Sequence, residues 1–472
     1  MPRHGKRGRP KAAQKETPLP LTPRPLLPWV AGVALAFAAF VALDQFVLHI
    51  PVLTTFDERA PLSPLYAFWM PQVTSAAALF VILALAALFL LRRLLSQRTS
   101  DAWFGAALLA LAVALPLALF LVREDFQRLG SQFLIYPGEE YFDDARGIAD
   151  LGTFIRHYAE LAPRLSLHGR VHPPGFAALL FLVGRVAGPS PLAAGVAVLL
   201  IFAAGVLLAW RAFALVVHRT RARIAALLLL AAPSLLDFAC TSMDAVFFAA
   251  ACLVLFTSLA ALSDGGRLWR SAPAGLAFYL AALCSFSAVP LGLFVLVYSV
   301  ATWWSRRGYR IPLQLGLTFG SFLAAYGAFR LATGFDLWES FQVARQQHYQ
   351  IMGAVIGQSV GAVYLPTTFG NMAALLIGTG LAIVPLFIRG AGSALRARDT
   401  RPLFVATTAT LAVLCAGGLY TMETERILMF AMPWLAVSAA GALDLSDSAV
   451  ALMLGVGWIQ TFAMEALLFT LW

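Results

Sequence analysis

The chain has 472 residues, 60% of them hydrophobic and only 12% charged, with a mean hydropathy of +0.79 and a formal net charge of +10. A soluble globular protein is nearer half apolar and a quarter charged, so a soluble domain is excluded as the main architecture. The positive balance comes mostly from Arg and Lys in short loops, where it reports membrane topology rather than nucleic-acid binding.

Repeated apolar runs of about 20 residues are long enough to cross a hydrocarbon core as helices. Backbone polar groups must be satisfied within lipid, which predicts an all-α, polytopic membrane protein. The four cysteines (Cys240, Cys252, Cys284, Cys415) lie in or beside apolar spans without metal-ligand spacing. They read as small buried residues, not as a zinc site or a disulfide framework.

Residues 1–25 are basic and Pro-rich and read as a disordered cytoplasmic tail. Residues 26–101 hold two spans, about Trp29 to Ile50 and about Met70 to Leu91, joined by a loop with Phe56-Asp57-Glu58-Arg59. Residues 102–472 form the remaining core. A span from about Ala102 to Val122 delivers the chain to a long polar loop, 123–190, with juxtamembrane helices. Within it, Phe176 to Gly188 is apolar but too short to cross and reads as an interfacial helix.

The next span, about Leu192 to Trp210, ends in arginines. Two hairpins follow, one breaking at Pro233 to Asp237 and the other near Ser285 to Pro290. A span from about Ile311 to Leu331 leads to a second polar loop, 333–366. The last spans are about Phe369 to Ile388, Pro402 to Leu419, Ile427 to Leu443 and Ala449 to Leu471. The expected total is about thirteen transmembrane helices with a cytoplasmic amino terminus. In this topology most basic residues fall inside. Most acidic ones fall outside, which points to a polar site on the extracytoplasmic face.

Five groups carry candidate chemistry. Glu139, Glu140, Asp143 and Asp144 crowd six residues, with helical i, i+3 and i, i+4 spacing. Carboxylates so close raise one another's pKa, which suits a proton acceptor, although an acidic helix start gives the same pattern. His168 and His172 precede Pro173-Pro174-Gly175, where a histidine at a helix start suits a phosphate or a substrate hydroxyl. Asp244 follows the first hairpin turn as a helix cap with a possible contact to the site. Glu423-Thr424-Glu425-Arg426 offers a phosphate-clamping arginine between carboxylates. His348, in the second polar loop, is a weaker candidate for a substrate contact.

This order of features resembles the GT-C superfamily of integral-membrane glycosyltransferases. It is similar to the branch with the protein O-mannosyltransferases, the aminoarabinose transferase of lipid A and the RgtA/B/C/D-like transferases. Glu139-Glu140-Tyr141 resembles the family's acidic motif with its tyrosine, and His172-Pro173-Pro174-Gly175 resembles its basic residue before Pro-Pro.

The resemblance implies a hexosyl- or pentosyltransferase that takes a polyprenyl-phosphate-linked sugar and inverts the anomeric centre. Glu139 or Glu140 would be the base, with both left open. Tyr141, His168, His172, Asp244, His348, Glu423, Glu425 and Arg426 would contact substrate. The acceptor would be an extracytoplasmic glycan, lipid or protein, and the setting a bacterial inner membrane with membrane lipid around the spans. No cofactor is required, although a divalent metal is compatible. A transporter or flippase for a lipid-linked or charged substrate is the competing reading.

Overall fold

The computed structural model describes residues 20–47, 53, 63, 65–134, 138, 140–263, 267–306, 310–356, 364–417, 420 and 423–470. The expected Phe56-Asp57-Glu58-Arg59 loop and Glu139 lie outside the described residues.

The chain is a polytopic helical membrane protein. Among the described residues, seven helices are long and apolar enough to cross a membrane. They are Ala77–Leu95, Asp101–Phe120, Pro191–Phe213, Asp244–Leu262, Ala288–Ser305, Arg310–Thr333 and Asp447–Leu467. An eighth crossing arises if Tyr364–Thr379 and Val384–Arg396, bent by 99°, are one span. The outer sides of these helices are apolar: Phe89 is 87% exposed and Leu331 is 91% exposed. Surfaces of that kind are stable only against lipid.

The expected thirteen spans therefore count helices that are short or broken. The first hairpin divides into Arg219–Leu229, Pro233–Asp237 and Asp244–Leu262, and the second into Ser271–Cys284 and Ala288–Arg306. Proline accounts for the first break, because Pro233 has no N–H to continue the preceding helix and starts a new one at its first position. The apolar run read as one span from about Phe369 bends instead at Gly380 (φ +82°), with Pro385 opening the next helix. The second polar loop is largely one helix, Leu337–Ile356. The segment 176–188 is the short helix Gly175–Ala187, as its length predicts.

The two ends of the bundle differ. At one, Arg223, 1% exposed, donates to the carbonyls of Leu94, Ser96 and Thr99 and to Asp101 Oδ1 at 2.7–3.2 Å. Arg219 Nε joins the same carboxylate at 2.8 Å. At the other end, the strands Ala67–Trp69 and Leu468–Thr470 pair antiparallel, Phe68 opposite Phe469. This tie holds the segment before Ala77–Leu95 against the end of the last helix. The polar loop and the candidate site lie at this second end.

Candidate active site

The site is built on a short helix, Tyr141–Gly147, whose N-cap is Glu140 in an extended conformation (φ −106°, ψ 147°). That geometry points Tyr141 and Phe142 into the core and separates Glu140 from Asp143 and Asp144. Glu140 is buried at 4% exposure, and its Oε1 lies 3.6 Å from His168 Nε2. Asp143 instead accepts from the Gly138 backbone N–H at 2.9 Å. Asp144 accepts from Ser166 N–H at 2.8 Å and from Ser166 Oγ–H at 2.6 Å. Asp143 and Asp144 therefore brace the loop rather than face the histidines.

The brace fixes the histidines. Ser166 Oγ accepts from Gly169 N–H at 3.0 Å. A Cβ on Gly169 would lie 2.1 Å from Asp144 Oδ2, so only glycine lets the 166–169 turn close on this carboxylate. Tyr158 Oη sits 2.7 Å from the Gly169 carbonyl and 2.5 Å from the His172 carbonyl, sharing its proton between them. Gly175 completes the frame: a Cβ there would be 2.3 Å from the Leu283 carbonyl oxygen, so this helix start packs directly on the end of Ser271–Cys284.

Around this frame, Tyr141 stacks on His168 and meets His172 edge-on, both at 5.8 Å between centroids. Phe176 covers Tyr141 at 5.1 Å. Burial pushes the His168 imidazole well below its ordinary pKa, with the Arg426 charge acting in the same direction. Burial likewise lowers His172 to about 4, against the opposing pull of Asp244. Both histidines are thus neutral at neutral pH. His348, on Leu337–Ile356, also acts electrostatically on His172, and burial lowers its own pKa. Its helix packs on the 3-10 turns at 162–164 and 169–171.

The cation comes from far along the chain. Arg426 Nε lies 3.1 Å from Asp244 Oδ2, and Nη2 contacts Glu423 Oε2. Arg426 Nη1 donates to Ser242 Oγ at 3.4 Å, and that hydroxyl bonds Asp244 Oδ2 at 3.0 Å. Burial would lower the guanidinium pKa, but Glu423, Asp244 and Glu140 outweigh it and hold the group charged. Glu423 has φ +56°, the one positive-φ non-glycine among the described residues. Such a left-handed residue is uncommon outside glycine and marks backbone held in place by its contacts. Thr424 Oγ donates to Asn371 Oδ1 at 2.6 Å, and Asn371 donates to the Tyr420 carbonyl at 2.9 Å, which anchors the same segment.

The structure thus brings Glu140, Tyr141, His168, His172, Asp244, His348, Glu423 and Arg426 into one region. Glu425 lies apart from them: it accepts from the Tyr66 backbone N–H at 2.9 Å, and burial raises its pKa to about 7. Ser242, Tyr158, Ser166 and Gly169 were not singled out by sequence. Only Ser242, beside Asp244 at a helix start, carries a local signal, that of a capping hydroxyl. Among the described residues no three of His, Cys, Asp and Glu are placed to hold a metal ion.

No family model matches the chain, and no curated protein matches it. Similar solved structures include ArnT from Cupriavidus metallidurans in the apo state, at 17% identity and a TM-score of 0.48, covering 72% of this chain and 60% of that one. ArnT from the same organism bound to undecaprenyl phosphate has 17% identity and a TM-score of 0.43, covering 71% of this chain and 60% of that one. The chain spans about 60% of the length of the chains it is compared with.

Proposed function

We propose that the protein is a membrane glycosyltransferase that moves a sugar from a polyprenyl-phosphate donor to an extracytoplasmic glycan, lipid or protein, with inversion. One observation carries this reading. A buried carboxylate, Glu140, and a buried, doubly clamped guanidinium, Arg426, converge with two neutral histidines at one end of the bundle.

Group transfer from a lipid phosphate needs a base at the acceptor and fixed positive charge at the leaving group. Glu140 takes the proton from the acceptor hydroxyl or amine as that atom attacks the anomeric carbon. The bond from the anomeric carbon to the phosphate oxygen breaks, and its electron pair leaves with the polyprenyl phosphate. Arg426 is the cation for that developing charge, since His172 is neutral. Preorganised charge of this kind usually supplies the largest part of such a rate enhancement. His172 instead donates a hydrogen bond, and His168 orients the Glu140 carboxylate. Asp244 and Glu423 hold the guanidinium plane.

The 99° break after Thr379 favours the second reading, a flippase, because broken helices are a feature of transporters. One experiment separates the two. Purified protein in liposomes receives polyprenyl-phosphate sugars and membrane extract as acceptor, and free polyprenyl phosphate is followed. The transferase reading expects release. Movement of the intact lipid-sugar across the bilayer, with no release from any donor, overturns it.

A further inference from the structure

A basic patch lies at the end of the bundle opposite the candidate site. Leu21 N–H donates to the Asp444 carbonyl at 2.7 Å, and the Asp444 carboxylate pairs with Arg221. Arg221 shares its helix with Arg219 and Arg223, which gather on Asp101 at that end. A Cβ on Gly390 would lie 2.9 Å from Ala442 Cβ, so the second half of Val384–Arg396 packs at the same level.

The patch joins two helices. Arg389 places its guanidinium over the Trp29 ring, 6.0 Å from the centroid, in the first turn of Leu27–Phe46. Arg24 precedes that helix. Arg396 lies about two turns beyond Arg389. A Cβ on Gly392, between them, would be 3.5 Å from Arg396 Nη1, so Arg396 folds back along the helix toward Arg389. Leu27, Trp29, Ile388 and Leu395 are 39–50% exposed beside these arginines.

Their neighbours have structural partners. Arg398 Nε donates to the Ser305 carbonyl at 3.1 Å, and Arg401 Nε to the Leu395 carbonyl at 2.8 Å. Arg24, Arg389 and Arg396 have no hydrogen-bond acceptor and no carboxylate partner among the described residues. Between 389 and 401, four arginines face one acid, Asp399. The helix dipole favours Arg396 in the last turn of its helix, but not Arg24 before a helix start.

The occupant must therefore be anionic and must also cover apolar side chains. A soluble anion lacks the apolar part, and a zwitterionic lipid lacks the net charge. Clustered arginines beside an interfacial tryptophan suit a charged lipid headgroup.

We propose that this patch binds an anionic phospholipid, with its phosphate on Arg389 and Arg396 and its acyl chains against Ile388 and Leu395. The lipid is a structural partner and not a donor, because the patch and the candidate site lie at opposite ends of the bundle.

The test follows the thermal midpoint of the full chain in detergent, titrated with phosphatidylglycerol, phosphatidylcholine or inorganic phosphate. Phosphatidylglycerol should raise the wild-type midpoint to a plateau, and the other two should not. Arg389→Gln and Arg396→Gln should each raise the half-saturating lipid fraction about fivefold, the equivalent of about 1 kcal/mol per charge. Arg185→Gln, an exposed arginine at the other end, should leave it unchanged. Arg24→Gln should weaken binding in the same direction, and it lies outside both helices, so its reading stands even where a helix variant unfolds.

An equal rise with phosphatidylcholine shows a general lipid effect and overturns the proposal. The same rise with inorganic phosphate alone overturns the lipid as occupant. Half-saturation unchanged in the Arg24, Arg389 and Arg396 variants removes the patch from any lipid effect.

Discussion

Arg426 Nε lies 3.1 Å from Asp244 Oδ2 while the same guanidinium contacts Glu423, so one buried cation is shared by two carboxylates from different helix starts. This pairing joins the turn of the first hairpin to the segment that opens the late helices, and it sets the charge balance of the site.

Arg426→Ala leaves Asp244 and Glu423 without their counter-charge. Removing one partner of a buried pair costs about 3–5 kcal/mol, so the thermal midpoint in detergent should fall. Donor release should fall as well, by about 10²–10³-fold if the guanidinium steadies the leaving phosphate. The double variant Arg426→Met with Asp244→Asn should recover part of the midpoint and none of the release. Recovery of both would assign Arg426 a purely structural role.

The His172 prediction concerns pH. Its folded-state pKa of about 4 is below the ordinary 6.5, so the unfolded chain binds more protons between those values. Its contribution to stability is therefore complete above pH 6.5 and declines as pH falls toward 4. His172→Asn should flatten this limb of the midpoint-versus-pH curve relative to wild type. Parallel curves would show that His172 titrates normally. The comparison also removes the opposing contribution of Glu425, whose pKa is raised to about 7.

Gly175→Ala places a methyl group 2.3 Å from the Leu283 carbonyl oxygen, a backbone atom that moves only with its helix. Overpacking of this kind costs about 1–3 kcal/mol, and here it also displaces His172. A drop in both midpoint and release is expected. An unchanged midpoint would show that the two helix ends are less closely packed than described.

Tyr158→Phe removes the hydroxyl that holds the Gly169 and His172 carbonyls. The loss should be about 1 kcal/mol in stability, in line with one hydrogen bond. Polyprenyl phosphate release should fall more steeply at low donor concentration than at saturation, because the histidine loop positions substrate. Equal losses at both would place Tyr158 nearer the chemical step.

Much of this was legible in the sequence, for local reasons. Apolar run length marks the spans and the short Gly175–Ala187 helix, and Pro233 marks a helix start. His172 before two prolines stands out by itself. The bend after Thr379 was not legible, because an apolar run continues through Gly380 and gives no change in hydropathy.

The division of labour among Glu140, Asp143 and Asp144 was hidden as well. It depends on which of them is the N-cap and on Ser166, more than twenty residues away by the 22-residue separation of its bond to Asp144. The Arg426–Asp244 pair depends on tertiary packing alone. Two charges that are isolated in sequence give no sign that they meet.

The central claim is that Glu140 accepts the acceptor's proton. Its most direct test is polyprenyl phosphate release by reconstituted wild type, Glu140→Gln and Glu139→Gln, each with a verified thermal midpoint. The account predicts that Glu140→Gln folds and loses about 10²–10⁴-fold in rate, the usual worth of a general base, while Glu139→Gln keeps most of it. Full release by Glu140→Gln with loss in Glu139→Gln would contradict it.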